Sequence, residues 1–471
     1  MFEPERRSGV DPLPIAIVAA FLLLGAILAA PRISGFFPAA GETEVPSTSR
    51  IRISFNQAMD RASVEGRLSI QPAVSGEIIW QDHDLVFIPD TSWTPGGTVE
   101  VKLKAGARSR FFLPILRSEA WSFSIRPPRV AYLWPDTQPS TLLARENFIE
   151  PEEVLISHLT GILEYTVDQE QGALIYVKLT SEGGSQLRAL DVATREDWLL
   201  YACPQGWRCR APAILPGLGA LAFERSSIEE GNGENQIFGP STVWVLDLED
   251  EDDAFPIGIA GHISSIPQWS PQGKLLYYDG TEKAFHLVDP SLGSEPPIER
   301  TISSELGVSG SWSPDGRFYV YPEISILEPE EDVGTGKTTA GFYSHIYRFN
   351  VETGVKTDLS AEFDLVEDSN PVYSPDGRHI AYTRKYLDDE RWTQGRQLWI
   401  MRSDGSQAEQ LTATPIFQHG SLQWSPDSSK LAFMRANQND LGAPPEIWVY
   451  ELTSGDWIQM AVGSSMPRWI P

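Results

Sequence analysis

The sequence predicts an all-β chain, a β-sandwich followed by a β-propeller, carried behind an amino-terminal transmembrane helix. Three observations lead there. One short stretch recurs four times in the second half of the chain, residues 45–125 carry alternating strand patterns, and residues 14–30 form an uncharged apolar run.

The recurring stretch is Trp269-Ser270-Pro271-Gln272-Gly273, Trp312-Ser313-Pro314-Asp315-Gly316, Tyr373-Ser374-Pro375-Asp376-Gly377 and Trp424-Ser425-Pro426-Asp427-Ser428. Each copy reads as strand, tight turn, strand. The aromatic is a bulky residue that favours strands. The proline presets φ at the second turn position, and Asp-Gly tolerates the tight corner. An apolar run follows each turn and reads as a buried strand. In this reading the hairpin residues are structural. Weaker copies lie at 162–177 and 213–223. Third strands at 186–191, 243–247, 284–289, 345–350, 397–402 and 446–451 complete a four-strand unit. Self-similarity at this period marks a propeller or a solenoid.

The two ends decide the count. Residues 466–471 supply only the first strand of a unit, and 130–133, 141–145 and 153–156 supply only the rest. Joined, they make a seventh blade from both ends and leave no open sheet edge. If the segment from 130 is linker, the ring has six blades.

Residues 1–13 are polar and carry Arg6 and Arg7, and the apolar run at 14–30 ends before Arg32. A spanning helix needs about 20 apolar residues, with a lower limit near 17. The run reads as an uncleaved signal anchor or as a cleaved signal peptide. Ile27 and Leu28 stand where a cleavage site wants a small residue, which favours the anchor. Arg6 and Arg7 ahead of the span place residues 1–13 in the cytoplasm and the bulk of the chain outside it. Residues 31–44 then read as a linker.

Residues 45–126 read as the sandwich. Residues 51–55 alternate with period two, and short strands follow at 68–70, 76–80, 85–88, 98–103 and 120–125. So many short strands in so few residues indicate a β-sandwich. The order Val45-Pro46, Phe55 to Asp60, Ser63-Val64, Ile70-Gln71-Pro72, Trp80, Phe87-Ile88-Pro89 and Pro95-Gly96 resembles the bacterial Ig-like domain of the SbsA/Big_5 type. The resemblance implies an extracellular spacer or adhesion module without catalytic residues, with Met59 in the core and Asp60 at a turn. Residues 106–117 depart from that pattern. The loop there is basic and apolar, with Arg108, Arg110, Phe111 and Phe112, and reads either as a contact patch or as a tucked hairpin.

From 129 to 471 the Trp/Tyr-Ser-Pro-Asp repeats resemble the WD40-like PD40 family, the TolB-type propeller. That resemblance implies the fold and binding to protein partners in the cell envelope. It implies no catalytic residue.

Lys and Arg number 37 against 64 Asp and Glu, a formal charge of -27. Such a balance argues against nucleic acid, whose binding requires basic patches, and against adhesion of the soluble part to anionic lipid. Cys203 and Cys209 form a local disulfide if the compartment is oxidising, and two free thiols if it is not. Two thiols without a nearby histidine are too few for a zinc site. The seven histidines show no paired metal spacing, and His262 and His419 read as loop residues at the mouth of a channel. Residues 334–339 imitate part of a phosphate loop, but Glu331 stands where the pattern needs glycine. Acidic runs at 248–253 and 328–332 read as solvated loops. No catalytic, cofactor-binding or metal-binding set emerges. Long loops at 226–240, 328–344 and 385–396, which hold Trp392, are expected to carry recognition. The function expected is therefore a membrane-anchored extracytoplasmic binding or scaffold protein of the cell envelope, with an unidentified protein or small ligand as partner. The alternative is a propeller enzyme acting on a sugar or lactone in its channel.

Overall fold

The computed structural model describes residues 30–470, apart from 44, 48, 90–92, 95, 147–150, 218, 230–235, 249–253, 327–329, 332–337, 340–341 and 361–364. The predicted span therefore lies, Ala30 aside, outside the described residues. Among those described, no helix is long and apolar enough to cross a membrane. The chain divides into two compact units, Met1–Arg126 and Pro127–Pro471.

The first unit is a two-sheet sandwich. One sheet orders the strands Ile33–Phe37, Ile51–Phe55, Asp84–Pro89 and Gly76–Gln81, and the other orders Leu68–Gln71, Thr98–Leu103 and Glu119–Ser124. Thr98–Leu103 shows why the sheets pack, since its residues alternate between exposed and buried and present one apolar face inward. Trp93, Val101 and Phe123 lie in the core between the sheets. Met59 is buried in that core. Asp60 caps the short helix Arg61–Glu65 by accepting from the Ser63 N–H.

One boundary moves. The sequence places a linker at 31–44, but Ile33–Phe37 pairs antiparallel with Ile51–Phe55 and is the edge strand of the sandwich. Its apolar residues follow an apolar run and read as a continuation of it. In the fold Phe36 stacks on Trp121 at 4.5 Å.

The second unit is a ring of seven blades, each built on four antiparallel strands counted from the innermost, and a single parallel bridge, Ser344↔Glu367, joins blades 5 and 6 into one sheet. Blade 1 comprises Ser465–Ile470, Arg129–Trp134, Thr141–Arg145 and Glu153–Ile156, so both ends of the unit build it. Blade 2 comprises Ile162–Asp168, Ala173–Leu179, Ser185–Asp191 and Asp197–Ala202. Blade 3 comprises Trp207–Ile214, Ala220–Glu229, Thr242–Asp247 and Phe255–Pro256. Blade 4 comprises Ser264–Trp269, Leu275–Asp279, Ala284–Val288 and Arg300–Ser303. Blade 5 comprises Ser311–Trp312, Phe318–Ile326, Phe342–Asn350 and Lys356–Asp358. Blade 6 comprises Val366–Tyr373, His379–Tyr386, Gln397–Arg402 and Glu409–Gln410. Blade 7 comprises Phe417–Trp424, Lys430–Asn437, Glu446–Glu451 and Trp457–Val462.

Apolar residues fill each gap between neighbours. Tyr165 and Leu174 of blade 2 pack against Leu133 and Ile470 of blade 1, and Tyr132 and Trp469 of blade 1 pack against Ile447 and Val449 of blade 7. The cluster between blades 1 and 7 closes the circle, and a cluster of its own fills each of the other gaps. Except between blades 4 and 5, the first strands of neighbouring blades touch one another, which puts them at the centre.

The repeated hairpin explains itself in atoms. Ser313 donates its hydroxyl to Asp315 at 2.6 Å and accepts the Phe318 N–H at 2.9 Å, while Asp315 accepts the Arg317 N–H at 3.1 Å. Ser374 and Asp376 repeat this set at 2.5, 3.0 and 3.1 Å, and Ser425 and Asp427 at 2.6, 2.9 and 3.1 Å. Gly273, Gly316 and Gly377 close the corner at φ of 78°, 64° and 71°, where a side chain is strained. The aromatic adds a bond between blades. Trp269, Trp424 and Trp469 donate their indole N–H to the carbonyls of Ala213, Val372 and Gln423 on the preceding blade at 2.9, 3.1 and 3.0 Å.

Candidate functional site

The strand order gives the ring two unlike faces. On one face lie the turns joining first to second and third to fourth strands, including the Ser-Pro-Asp hairpins. On the other lie the loops joining second to third strands and each blade to the next. This second face carries all three long loops expected from the sequence.

Part of what reads as loop is strand. Ala220–Glu229 runs on past its blade, and Ile237–Phe238 pairs back onto its end. Phe318–Ile326 and Phe342–Asn350 pair along their full nine residues, to Ile326↔Phe342. The remainder of the loop at 328–344 includes the phosphate-loop imitation and lies mostly outside the described residues. Its Thr338–Thr339 pairs with Glu330–Glu331, as an inter-strand hairpin does. The acidic run at 248–253 lies, Leu248 aside, outside the described residues too.

The long hairpins lift apolar side chains into solvent. Ile326 is 81% exposed, Trp392 55% and Leu441 85%, and Phe238 and Phe342 are exposed as well. Leu159 and Leu306, on loops between blades, add to the same face. The opposite face shows Leu292, Ile298 and Val355. Clustered exposed apolar groups within a polar surround mark a contact surface.

Cations on aromatics stiffen this face. Arg208 lies over the Phe238 ring at 4.3 Å and donates to Gln236 at 2.8 Å. Lys385 lies over Trp392 at 4.9 Å, and Arg391 over Tyr386 at 4.0 Å while pairing with Asp388. Gln394 reaches from blade 6 to the Gln438 carbonyl of blade 7 at 2.9 Å. Cys203 and Cys209 form a disulfide with Cα atoms 5.8 Å apart, holding the crossing from blade 2 to blade 3.

The channel wall is polar but internally committed. Ala211, Ile266, Asn370, Ser421 and Met466 take positive φ at equivalent positions of five first strands, and the ladder shifts register beside each. Such a bulge leaves a backbone N–H outside the ladder. Glu164 accepts the Ala211 N–H at 2.6 Å, and Glu224 accepts the Ile266 N–H at 2.9 Å. Glu224 also pairs with Arg210 at 3.0 Å. Burial raises the Glu164 pKa, while the Ala211 N–H and the Arg210 charge pull against it. No group of three or more His, Cys, Asp and Glu that could hold a metal occurs among the described residues.

The histidines resolve separately. His262 lies before blade 4 and contacts Asp279 at 2.8 Å. His419, expected in a loop, instead lies on the first strand of blade 7, wholly buried. There its ring nitrogen meets the Arg396 carbonyl at 2.8 Å, and burial pushes its pKa down to about 4. It is a neutral core residue. The indole bonds and the bulge-capping carboxylates escaped sequence reasoning, since both join residues of different blades.

Comparison with known proteins places the two units differently. The bacterial Ig-like domain family (Big_5) matches residues 29–125, so the sandwich is a domain of that family, including the strand at Ile33–Phe37. Dipeptidyl-peptidase 5 of Porphyromonas gingivalis is 26% identical over 170 residues, 36% of this chain. The chain spans only 23% of the length of that relative. Among solved structures, TolB from Acinetobacter baumannii aligns over 94% of this chain and 99% of its own, at 13% identity and a TM-score of 0.41. Oligogalacturonate lyase from Vibrio parahaemolyticus aligns over 64% of this chain and 73% of its own, at 15% identity and a TM-score of 0.39.

Proposed function

We propose that this chain, a bacterial Ig-like domain joined to a closed ring of seven blades, is a membrane-anchored extracytoplasmic binding protein. The apolar run at 14–30 is its anchor, the Ig-like domain its spacer, and the loop face of the ring its recognition surface. The observation that carries the reading is the asymmetry of the ring. Tight hydrogen-bonded turns finish one face, whereas extended hairpins lift Ile326, Trp392 and Leu441 from the other. Aromatic side chains beside arginines are the composition of binding hot spots. The Cys203–Cys209 disulfide fits an oxidising compartment. The partner is an envelope protein or a ligand with an apolar surface.

An enzyme working in the channel is the second reading, and Glu164 is the observation in its favour, a half-buried carboxylate with a raised pKa. Its commitment to the Ala211 N–H ranks that reading lower.

The test is a pull-down from envelope extract with residues 31–471, a start that keeps the Ile33–Phe37 strand. Three variants shorten the hairpins at 230–236, 387–396 and 438–445. One partner captured by the parent and lost with shortened hairpins is the expected result. A partner retained by all three variants would remove the loop face from the proposal. Capture of nothing would direct the search to metabolites in the channel.

A further inference from the structure

The loop at 106–117 is where the Ig-like unit departs from its family's pattern. The structure folds it into a tight hairpin. Ser109 donates its N–H to the Leu113 carbonyl at 2.8 Å, and Phe112 donates back to Ser109 at 2.9 Å. Ala107 and Ile115 are buried at its base. At its tip Phe111 and Phe112 are 74% and 75% exposed, and Leu116 beside them is exposed too. Phe112 holds a φ of 61°, a left-handed conformation unfavourable for a bulky residue. Buried and hydrogen-bonded neighbours fix a strained backbone that aims two phenylalanines at solvent.

The charge there runs against the rest of the chain. Residues 105–118 contain Arg108, Arg110 and Arg117 and no carboxylate, within a chain of net charge -27. All three arginines are exposed, and none is ion-paired among the described residues.

The hairpin also has a definite place. Segment 56–60 holds it, because Asp60 donates to the Arg108 carbonyl and Arg110 to the Ala58 carbonyl, each at 2.9 Å. The same segment holds the start of the domain. Arg32 donates its N–H to the Asn56 side chain at 2.8 Å, and Asn56 donates back to the Arg32 carbonyl at 3.1 Å. Tip and chain start therefore stand at one end of the sandwich. The apolar run stops at Ala30 and the first strand begins at Ile33, a tether of roughly 10 Å at full extension.

We infer that this hairpin docks on an anionic lipid surface, with Phe111 and Phe112 entering the interface and Arg108, Arg110 and Arg117 facing the headgroups. Aromatic tips enter the boundary between headgroups and acyl chains, and clustered arginines are drawn to anionic lipid. The inference rests on the anchor of the proposed function for its geometry. The docked hairpin would fix the orientation of the Ig-like unit on the membrane instead of leaving it to swing on its tether.

The test uses the full chain reconstituted with vesicles of phosphatidylcholine, alone or with phosphatidylglycerol. An environment-sensitive fluorophore is placed at Phe112→Cys, with Leu116→Cys as a second site. Ala40→Cys, at the opposite end of the first strand, is the control. The expected result is a blue-shifted emission at 112 and 116 on anionic vesicles and none at 40, reduced severalfold by Arg108→Gln/Arg110→Gln/Arg117→Gln. Labels at 112 and 116 that match position 40 while the chain floats with the vesicles would overturn the docking and leave the anchor standing. Flotation only with anionic vesicles, reversed by about 0.5 M salt, would remove the anchor and keep the docking. Flotation with neither vesicle would overturn both.

Discussion

Trp269, Trp424 and Trp469 each pack a large ring and place one hydrogen bond across to the preceding blade. Trp312 occupies the same repeat position, yet its indole nitrogen is buried with no hydrogen-bond partner among the described residues. The pair Trp312 and Trp424 thus separates packing from hydrogen bonding. Replacement by phenylalanine removes similar volume at both sites, but at Trp424 it also removes the hydrogen bond to the Val372 carbonyl. Trp424→Phe is expected to lower stability by about 1–2 kcal/mol more than Trp312→Phe, measured as the shift of the propeller's denaturant midpoint. Equal effects would mean that the ring's volume alone counts. The aromatic was legible in sequence as a strand anchor because its size and propensity are local properties. The carbonyl it bonds lies about fifty residues earlier, and no spacing within one repeat encodes it.

The hairpin is the element in which sequence and structure agree most closely, because its determinants sit within six consecutive residues. The proline, the aspartate and the glycine each act on the corner they occupy. Burial pushes the carboxyls of Asp315, Asp376 and Asp427 up, but the serine hydroxyl and the backbone N–H outweigh it and hold each below the usual value. A depressed folded pKa adds stability that is complete above the unfolded value, near 4, and is lost as the pH falls through the folded value. The propeller should therefore hold its denaturation midpoint from pH 7 to about pH 4 and lose it steeply below. The variant Asp315→Asn/Asp376→Asn/Asp427→Asn should start lower and show a shallower acid limb, which denaturant titrations at stepped pH would reveal. Parallel acid limbs in the two proteins would assign the acid sensitivity to other carboxylates. The strand Ile33–Phe37 is the contrary case. Its partner begins eighteen residues on, across turns with no hairpin signature, so its apolar residues merged with the run before them.

For the whole molecule, the decisive element is the strand Ser465–Ile470, which completes blade 1 and carries Trp469 against blade 7. A chain ending at Gly463 should lose the cluster shared by blades 1 and 7 and expose the edge of Arg129–Trp134. The expected outcome is a ring that limited proteolysis cuts throughout residues 127–463, while the Ig-like unit keeps its own core. A protease-resistant ring without that strand would mean that six inter-blade clusters suffice. The seven-blade count was legible because incomplete units at the two ends summed to a whole one. The asymmetry of the faces was not, since exposure of Ile326 and Phe342 depends on how far paired strands outrun their blade.

Joining the first and last strands of the ring in one sheet also sets a clock on its biogenesis. Ser465–Ile470 emerges roughly 330 residues after Arg129–Trp134, which at typical rates of synthesis takes about 20–70 s. Through that interval blade 1 shows an unpaired inner edge. An edge of that kind invites strand addition from another nascent chain. Yield of this protein in the cell should then depend on whatever shields that edge until the last strand arrives.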